Sequence, residues 1–181
     1  LGANERTIAM GGKGIYLFDA NGNNLIDGPG GMWCRQIGYG RKEMADSIAD
    51  QTLRMSYFSP FNLTNDLPVL LAKKLASFAP GDLNHVFFTS GGSTAVDTAL
   101  RLVSFSNNYK GRPNKKQIIS REDAYHGSTY LSASASGKTR DKNLQDTASD
   151  IVKFISSPNP FYRPNGMSLD DFKRSNVKEL E

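Results

Sequence analysis

HVFFTSGGSTAVDTALRLV, residues 85–103, changes its hydrophobic period in mid-course. His85 to Thr89 is a short apolar run suited to a buried strand. Val96, Leu100 and Val103 then recur at helical spacing beside Ala95, Ala99 and Leu102. Between the two lie Ser90, Gly91, Gly92 and Ser93, so the order is strand, small-residue turn, helix. A helix that starts this way is a ready anion site. Its first N–H groups lack partners, its dipole favours negative charge, and glycines let an anion approach. A phosphate fits this geometry, and a glycine turn capped by Ser93 accounts for the same residues without a ligand. The turn is neither a nucleotide P-loop nor a dinucleotide fingerprint, since G-x-x-x-x-G-K-[ST] and G-x-G-x-x-G are both absent.

Downstream, Gln117–Ser120 reads as a second buried strand and Ile151–Ile155 as a third. The small residues of Gly127–Ala135 suit a tightly packed helix, and Ser168 with Asp171 forms a capping box for a last helix carrying Phe172, Val177 and Leu180. Upstream, Asp66 can cap a helix with Pro68 in its first turn and Leu70, Leu71, Leu75 and Phe78 on its inner face. From Asp66 onward strands alternate with helices, so the sequence predicts an α/β fold with a mainly parallel sheet. Arg41–Leu53 is an amphipathic helix by its Met44, Ala45, Ile48, Ala49 and Thr52. Met55–Leu63, aromatic-rich and containing Pro60, is a loop. Gly14–Asp27 reads as a hairpin turning at Asn21-Gly22. Gly28–Gly31 is too flexible for regular structure and serves a turn or a ligand's approach to the backbone.

Composition narrows the function. A chain of 181 residues suits one ordinary domain, and its 22 Lys plus Arg against 18 Asp plus Glu leave a mild net charge of +4. The basic residues are scattered, with no stripe for nucleic acid. No apolar run approaches the ~18 residues of a membrane span. Two histidines, far apart, and one cysteine give no zinc spacing. The lone Cys34 favours a reducing compartment and hence the cytoplasm. Asn62-Leu63-Thr64 matches a glycosylation sequon by chance, and Leu1 in place of Met suggests that the numbering does not begin at a natural start.

Two further clusters carry possible chemistry. Tyr125, His126 and Gly127 follow the strand at Ile118, where a flat ligand would lie in the crevice of an α/β sheet. A core aromatic and a hydrogen-bonded histidine is the plainer account. Met32, Trp33 and Cys34 follow the glycine run, and by residue type alone a single tryptophan belongs in the core.

Taken together, GIYLFDANGNNLID (14–27), GPGGMWCRQIGYGR (28–41), HVFFTSGGSTAVDTALRL (85–102) and EDAYHGSTYLSASASGK (122–138) resemble the class III pyridoxal-phosphate aminotransferases. The similarity is greatest to the ω-amino acid and amine:pyruvate branch, and it extends through SSPNPFYRPNGMS to VKELE. The resemblance implies fold type I, with helices on both faces of the sheet. It divides the chain into residues 1–54, a small-domain hairpin with pocket loop and connecting helix, and residues 55–181, the first part of the large cofactor-binding domain. It implies a cytoplasmic homodimer with active sites at the subunit interface, using pyridoxal 5′-phosphate to move an amino group from an amine to a keto acid such as pyruvate. Gly91, Gly92 and Ser93 would hold the cofactor phosphate. Tyr125 would stack on its ring with His126 beside it, and Met32, Trp33 and Phe61 would line the amine pocket.

The chain departs from the family in places. Gly91-Gly92-Ser93-Thr94 stands where many members have Ser-Gly-Ser-Glu, so one hydroxyl and one carboxylate are replaced. Asn62 lies where relatives often carry aromatics. The family's Schiff-base lysine comes later than Glu181, and no lysine here has the matching context, so the chain is expected to be incomplete and inactive alone. Rival readings are an aminomutase or racemase of the same fold and a non-catalytic phosphate-binding fragment.

Overall fold

The structure is a computed structural model that describes residues 6–181. The chain divides into two units, one ending at Asn84 and one running from His85 to Glu181.

In the first unit β1 (Ala9–Lys13), β2 (Tyr16–Asp19) and β3 (Asn24–Ile26) form an antiparallel meander in that order. The expected hairpin is β2–β3. Its turn is fixed by the buried Asp19, whose carboxylate accepts from the Asn21 and Asn23 backbone N–H groups at 2.9 and 2.8 Å and from Asn23 Nδ2 at 2.9 Å. β1 has no sequence signature, because Ala-Met-Gly-Gly-Lys neither alternates nor favours strand. Tertiary contact explains Gly12. A Cβ there would come within 2.7 Å of Tyr39 Cγ.

Then come α1 (Gly30–Trp33), α2 (Lys42–Met55) and α3 (Asp66–Ala76). α2 is the amphipathic helix expected. α3 is capped by Asn65 rather than Asp66: Asn65 Oδ1 accepts from Leu67 N at 3.2 Å, and its extended backbone suits the cap. Asp66 instead opens the helix and pairs with Arg54 at 2.9 Å. The inner face expected of α3 is not buried. Leu70, Leu71, Leu75 and Phe78 all stand exposed.

The second unit contains α4 (Gly92–Tyr109), β4 (Ile118–Arg121), α5 (Tyr130–Ala135), α6 (Thr139–Lys142), β5 (Val152–Ile155) and α7 (Leu169–Lys178). β4 and β5 run parallel, from Ile118 opposite Val152 to Arg121 opposite Ile155, as the strand–helix alternation required. His85–Thr89 is not a strand. No neighbour pairs with it among the described residues, and an apolar run alone supplies no ladder. α5 packs on α4 and on β4. Its packing is built from small residues, with Ser132, Ser134 and Ala135 buried beside Ser120 and Val152. Each buried hydroxyl is satisfied: Ser120 donates to Ala135 O at 2.5 Å and Ser134 to Tyr130 O at 2.6 Å. β4 was expected to be buried, yet only its Ser120 is. Ser168 caps α7 through Asp171 N at 3.1 Å, and of the expected apolar face only Phe172 is buried, Val177 and Leu180 being exposed.

Candidate functional site

α4 opens from Gly91, whose backbone is extended, and its first turn carries no acidic residue. The Gly91 carbonyl is drawn into the helix. It accepts from Ala95 N at 3.0 Å, from the Thr94 hydroxyl at 2.8 Å and from the Thr89 hydroxyl at 3.1 Å. The N–H groups of Gly92, Ser93 and Thr94 precede the first intrahelical bond and point out of the helix end. A Cβ on Gly91 or Gly92 would meet no atom within 4 Å, so the space beside those donors is open.

The loop after β4 closes on this helix start. Gly127 has φ +131°, and a Cβ there would lie 2.5 Å from Ser93 Oγ and 2.6 Å from Ser132 Oγ. Only glycine permits that approach. Ser128 N donates to Ser93 Oγ at 3.0 Å, which leaves the Ser93 hydroxyl proton for another acceptor. Asp97, one turn along α4, accepts from the Thr129 hydroxyl at 3.0 Å and from Leu131 N at 3.2 Å. Thr129 and Ser132 complete a capping box for α5, and Ser136 Oγ accepts from His126 N at 2.9 Å. Sequence reasoning missed Asp97. Its one signal was its place four residues after Ser93.

The loop that carries Tyr125 and His126 thus meets the start of α4 at Gly127 and Ser128. Tyr125 is 60% exposed and lines a recess of about 370 Å³ with Ser128, Ser136, Arg140 and Lys142. Burial pulls the Lys142 ammonium below the usual lysine range, over the Phe154 ring at 4.2 Å. Neither Tyr125 nor His126 fits the plainer account. Tyr125 is not core, and only the backbone N–H of His126 is hydrogen-bonded among the described residues.

The substrate candidates belong to the first unit. Gly28–Gly31 was expected to lack regular structure, yet α1 is an ordered turn of left hand. Gly30, Gly31, Met32 and Trp33 have φ of +57°, +59°, +56° and +65°. Trp33 N donates to Pro29 O and Arg35 N to Gly30 O, both at 2.9 Å. For Met32 and Trp33 this backbone costs roughly 1–2 kcal/mol each. Strain of this kind persists only where the surrounding structure over-determines the backbone. Trp33, placed in the core by residue type alone, is 74% exposed, and Met32 is exposed beside it. Phe61 is 92% exposed in the loop between α2 and α3.

The sequence model for aminotransferase class-III matches residues 3–180, and the chain belongs to that family. It is 36% identical over 170 residues to the putrescine–pyruvate aminotransferase of Pseudomonas aeruginosa, covering 93% of this chain and 37% of that protein. The omega transaminase of Pseudomonas jessenii in complex with PMP superposes with a TM-score of 0.91 at 30% identity, over 97% of this chain and 39% of that one. A thermostable omega transaminase variant engineered for asymmetric synthesis of enantiopure bulky amines gives the same values. The fold is therefore that of the fold type I pyridoxal-phosphate transferases. The chain spans about two fifths of the length of these relatives.

Proposed function

We propose that the protein to which this chain belongs is a pyridoxal-phosphate-dependent aminotransferase that passes an amino group from an amine or ω-amino acid to a keto acid such as pyruvate. The observation that carries the reading is the convergence of Gly91–Ser93 with Tyr125–Gly127 across the 3.0 Å contact of Ser128 N and Ser93 Oγ. Three backbone N–H groups, a free hydroxyl proton, an acid-free first turn and open space at two glycines fit a phosphate monoester. When bound, the cofactor supplies the electron sink for proton removal next to nitrogen. Gly92, Ser93 and Thr94 would bind its phosphate through N–H groups, and the Ser93 hydroxyl would donate to it. Ser128 and Asp97 hold that hydroxyl and its loop in place. Tyr125 offers an exposed ring face for stacking, with His126 beside it.

Met32, Trp33 and Phe61 would line the amine pocket. In the variant engineered for bulky amines a tryptophan and a phenylalanine are replaced, and these stand as far apart in sequence as Trp33 and Phe61 do here, which supports the assignment. A division at residues 54 and 55 into small-domain and large-domain segments belongs to the same reading. So do a homodimer with its active sites at the subunit interface and, from the single cysteine, a cytoplasmic location.

The test is a pyridoxal-phosphate titration of the whole protein followed by absorbance. Ser93→Ala and Tyr125→Ala should each weaken retention of the cofactor, and Tyr125→Phe should keep the stacking and the affinity. Unaltered affinity, spectrum and rate in both alanine variants would overturn the reading.

A further inference from the structure

The left-handed turn at Gly30–Trp33 is held from one point. Asp27 Oδ2 accepts from Gly31 N at 2.8 Å, at the start of the turn, and from the Tyr39 hydroxyl at 2.6 Å. Tyr39 is itself fixed. Its backbone exchanges two hydrogen bonds with Gly14, at 3.1 and 2.9 Å, and its ring fills the space that a side chain at residue 12 would need. The Arg35 guanidinium lies 5.2 Å from the ring centroid, on the far side of Met32 and Trp33 in sequence. One carboxylate oxygen therefore ties the entry of the turn to the residue that anchors its exit. Met32 and Trp33 stand between them in a conformation that neither adopts unaided.

We infer that Asp27 and Tyr39 are positioning residues that hold the left-handed turn and so set where Met32 and Trp33 stand toward the amine. The inference rests on the proposed role of Met32 and Trp33 in the amine pocket. Hydrogen bonds to an ionised carboxylate are the stronger kind, and two of them converge on a single atom here. The same contact, with burial, raises the Tyr39 hydroxyl above the usual tyrosine range against the opposing Arg35. The phenol thus keeps its proton at neutral pH and remains a donor. Amine selectivity is in this way controlled by two residues distinct from those proposed to line the pocket.

Trp33 is the only tryptophan of the chain, so its fluorescence reports on this turn alone. Time-resolved anisotropy in the whole protein, if Trp33 remains its sole tryptophan or the others are replaced by phenylalanine, should show Trp33 depolarising mainly with overall tumbling. Asp27→Ala should at least double the amplitude of the fast local component. Tyr39→Phe, which removes one of the two bonds, should give a smaller rise. Asp27→Asn keeps an acceptor oxygen and should restore most of the original decay. The ratio of kcat/KM for a bulky against a small amine should move in the same order, with pyridoxal-phosphate affinity unaltered.

An unaltered anisotropy in folded Asp27→Ala overturns the inference, and if that variant does not fold, an unaltered anisotropy in Tyr39→Phe does so. If the anisotropy moves and the amine ratio does not, Trp33→Ala separates the causes. A ratio that responds to Trp33→Ala but not to Asp27→Ala refutes positioning. A ratio that responds to neither removes the pocket reading and leaves the hold on the turn supported.

Discussion

Two glycine runs, Gly28-Pro29-Gly30-Gly31 and Ser90-Gly91-Gly92, read alike in sequence and serve opposite purposes. In the first, Gly30 and Gly31 are demanded by the backbone itself, which is left-handed there, and the result is an ordered turn that aims two large side chains outward. In the second, Gly91 is extended and Gly92 lies in a right-handed helix, conformations open to any residue. A side chain at either would meet no protein atom. The described residues do not themselves require glycine at 91 or 92, and the open space suits the anion proposed for this helix start. Gly127 combines both demands, with a positive φ and no room for a Cβ.

The largest effect should come from Gly127→Ala. Its Cβ would collide with Ser93 and Ser132, and overpacking of that kind costs about 1–3 kcal/mol before the backbone strain is added. Denaturant unfolding should show a loss at the upper end of that range together with loss of cofactor. A loss under 1 kcal/mol would mean that the 125–129 loop does not lie against Ser93.

Gly31→Ala isolates the backbone term. A Cβ there makes ordinary contacts at 3.4 and 3.5 Å, so only the left-handed φ is penalised, by about 1 kcal/mol. The unfolding midpoint should fall and the cofactor affinity should not. If stability is unaltered, the turn is not left-handed and the contrast between the two runs disappears.

Gly92→Ala should do the reverse. Replacing a helical glycine by alanine stabilises by about 0.5–1 kcal/mol, while a methyl group beside the phosphate lengthens bonds to a charged acceptor worth ~1.5–3 kcal/mol. The expected outcome is a protein slightly more stable that binds pyridoxal phosphate about 10–100-fold more weakly. Equal affinity would show that nothing anionic sits there.

The smallest effects are with pH. Tyr39 has its folded value raised, so its contribution is complete below its ordinary value of about 10 and is lost as pH rises through the raised value. Trp33 fluorescence should therefore change in alkali, and Tyr39→Phe should abolish that step. In the second unit Glu179 is lowered, chiefly because its carboxylate accepts from the Ser156 N–H at 2.6 Å. That contribution is present above about 4.3 and is lost as pH falls through the lowered value. Hydrogen exchange at the Ser156 amide should accelerate in acid, and Glu179→Gln should remove the pH dependence.

Local pattern made much of this legible. The β2–β3 hairpin, α2, α4, the parallel strands β4 and β5 and the Ser168 cap each follow from period, turn chemistry or capping within a few residues. β1 did not, because the room its Gly12 leaves is filled by Tyr39, far along the chain. His85–Thr89 has the composition of a strand and no partner among the described residues. Asn65 and Asp66 are near-equal caps, and the backbone at Asn65 decided between them.

By itself the sequence determined the helix that follows Ser90-Gly91-Gly92, the anion-ready start of α4 and, through its four motifs, the family. Those depend on period, dipole and order along the chain, which a sequence carries directly. Only the tertiary structure decided that Gly127 and Ser128 lie against Ser93, that Asp97 accepts from Thr129 and Leu131, and that Trp33 stands exposed on a left-handed turn hydrogen-bonded to Asp27, to which Tyr39 is bonded in turn. Each of these is a contact or a dihedral angle set by residues distant in sequence, and no local pattern encodes it.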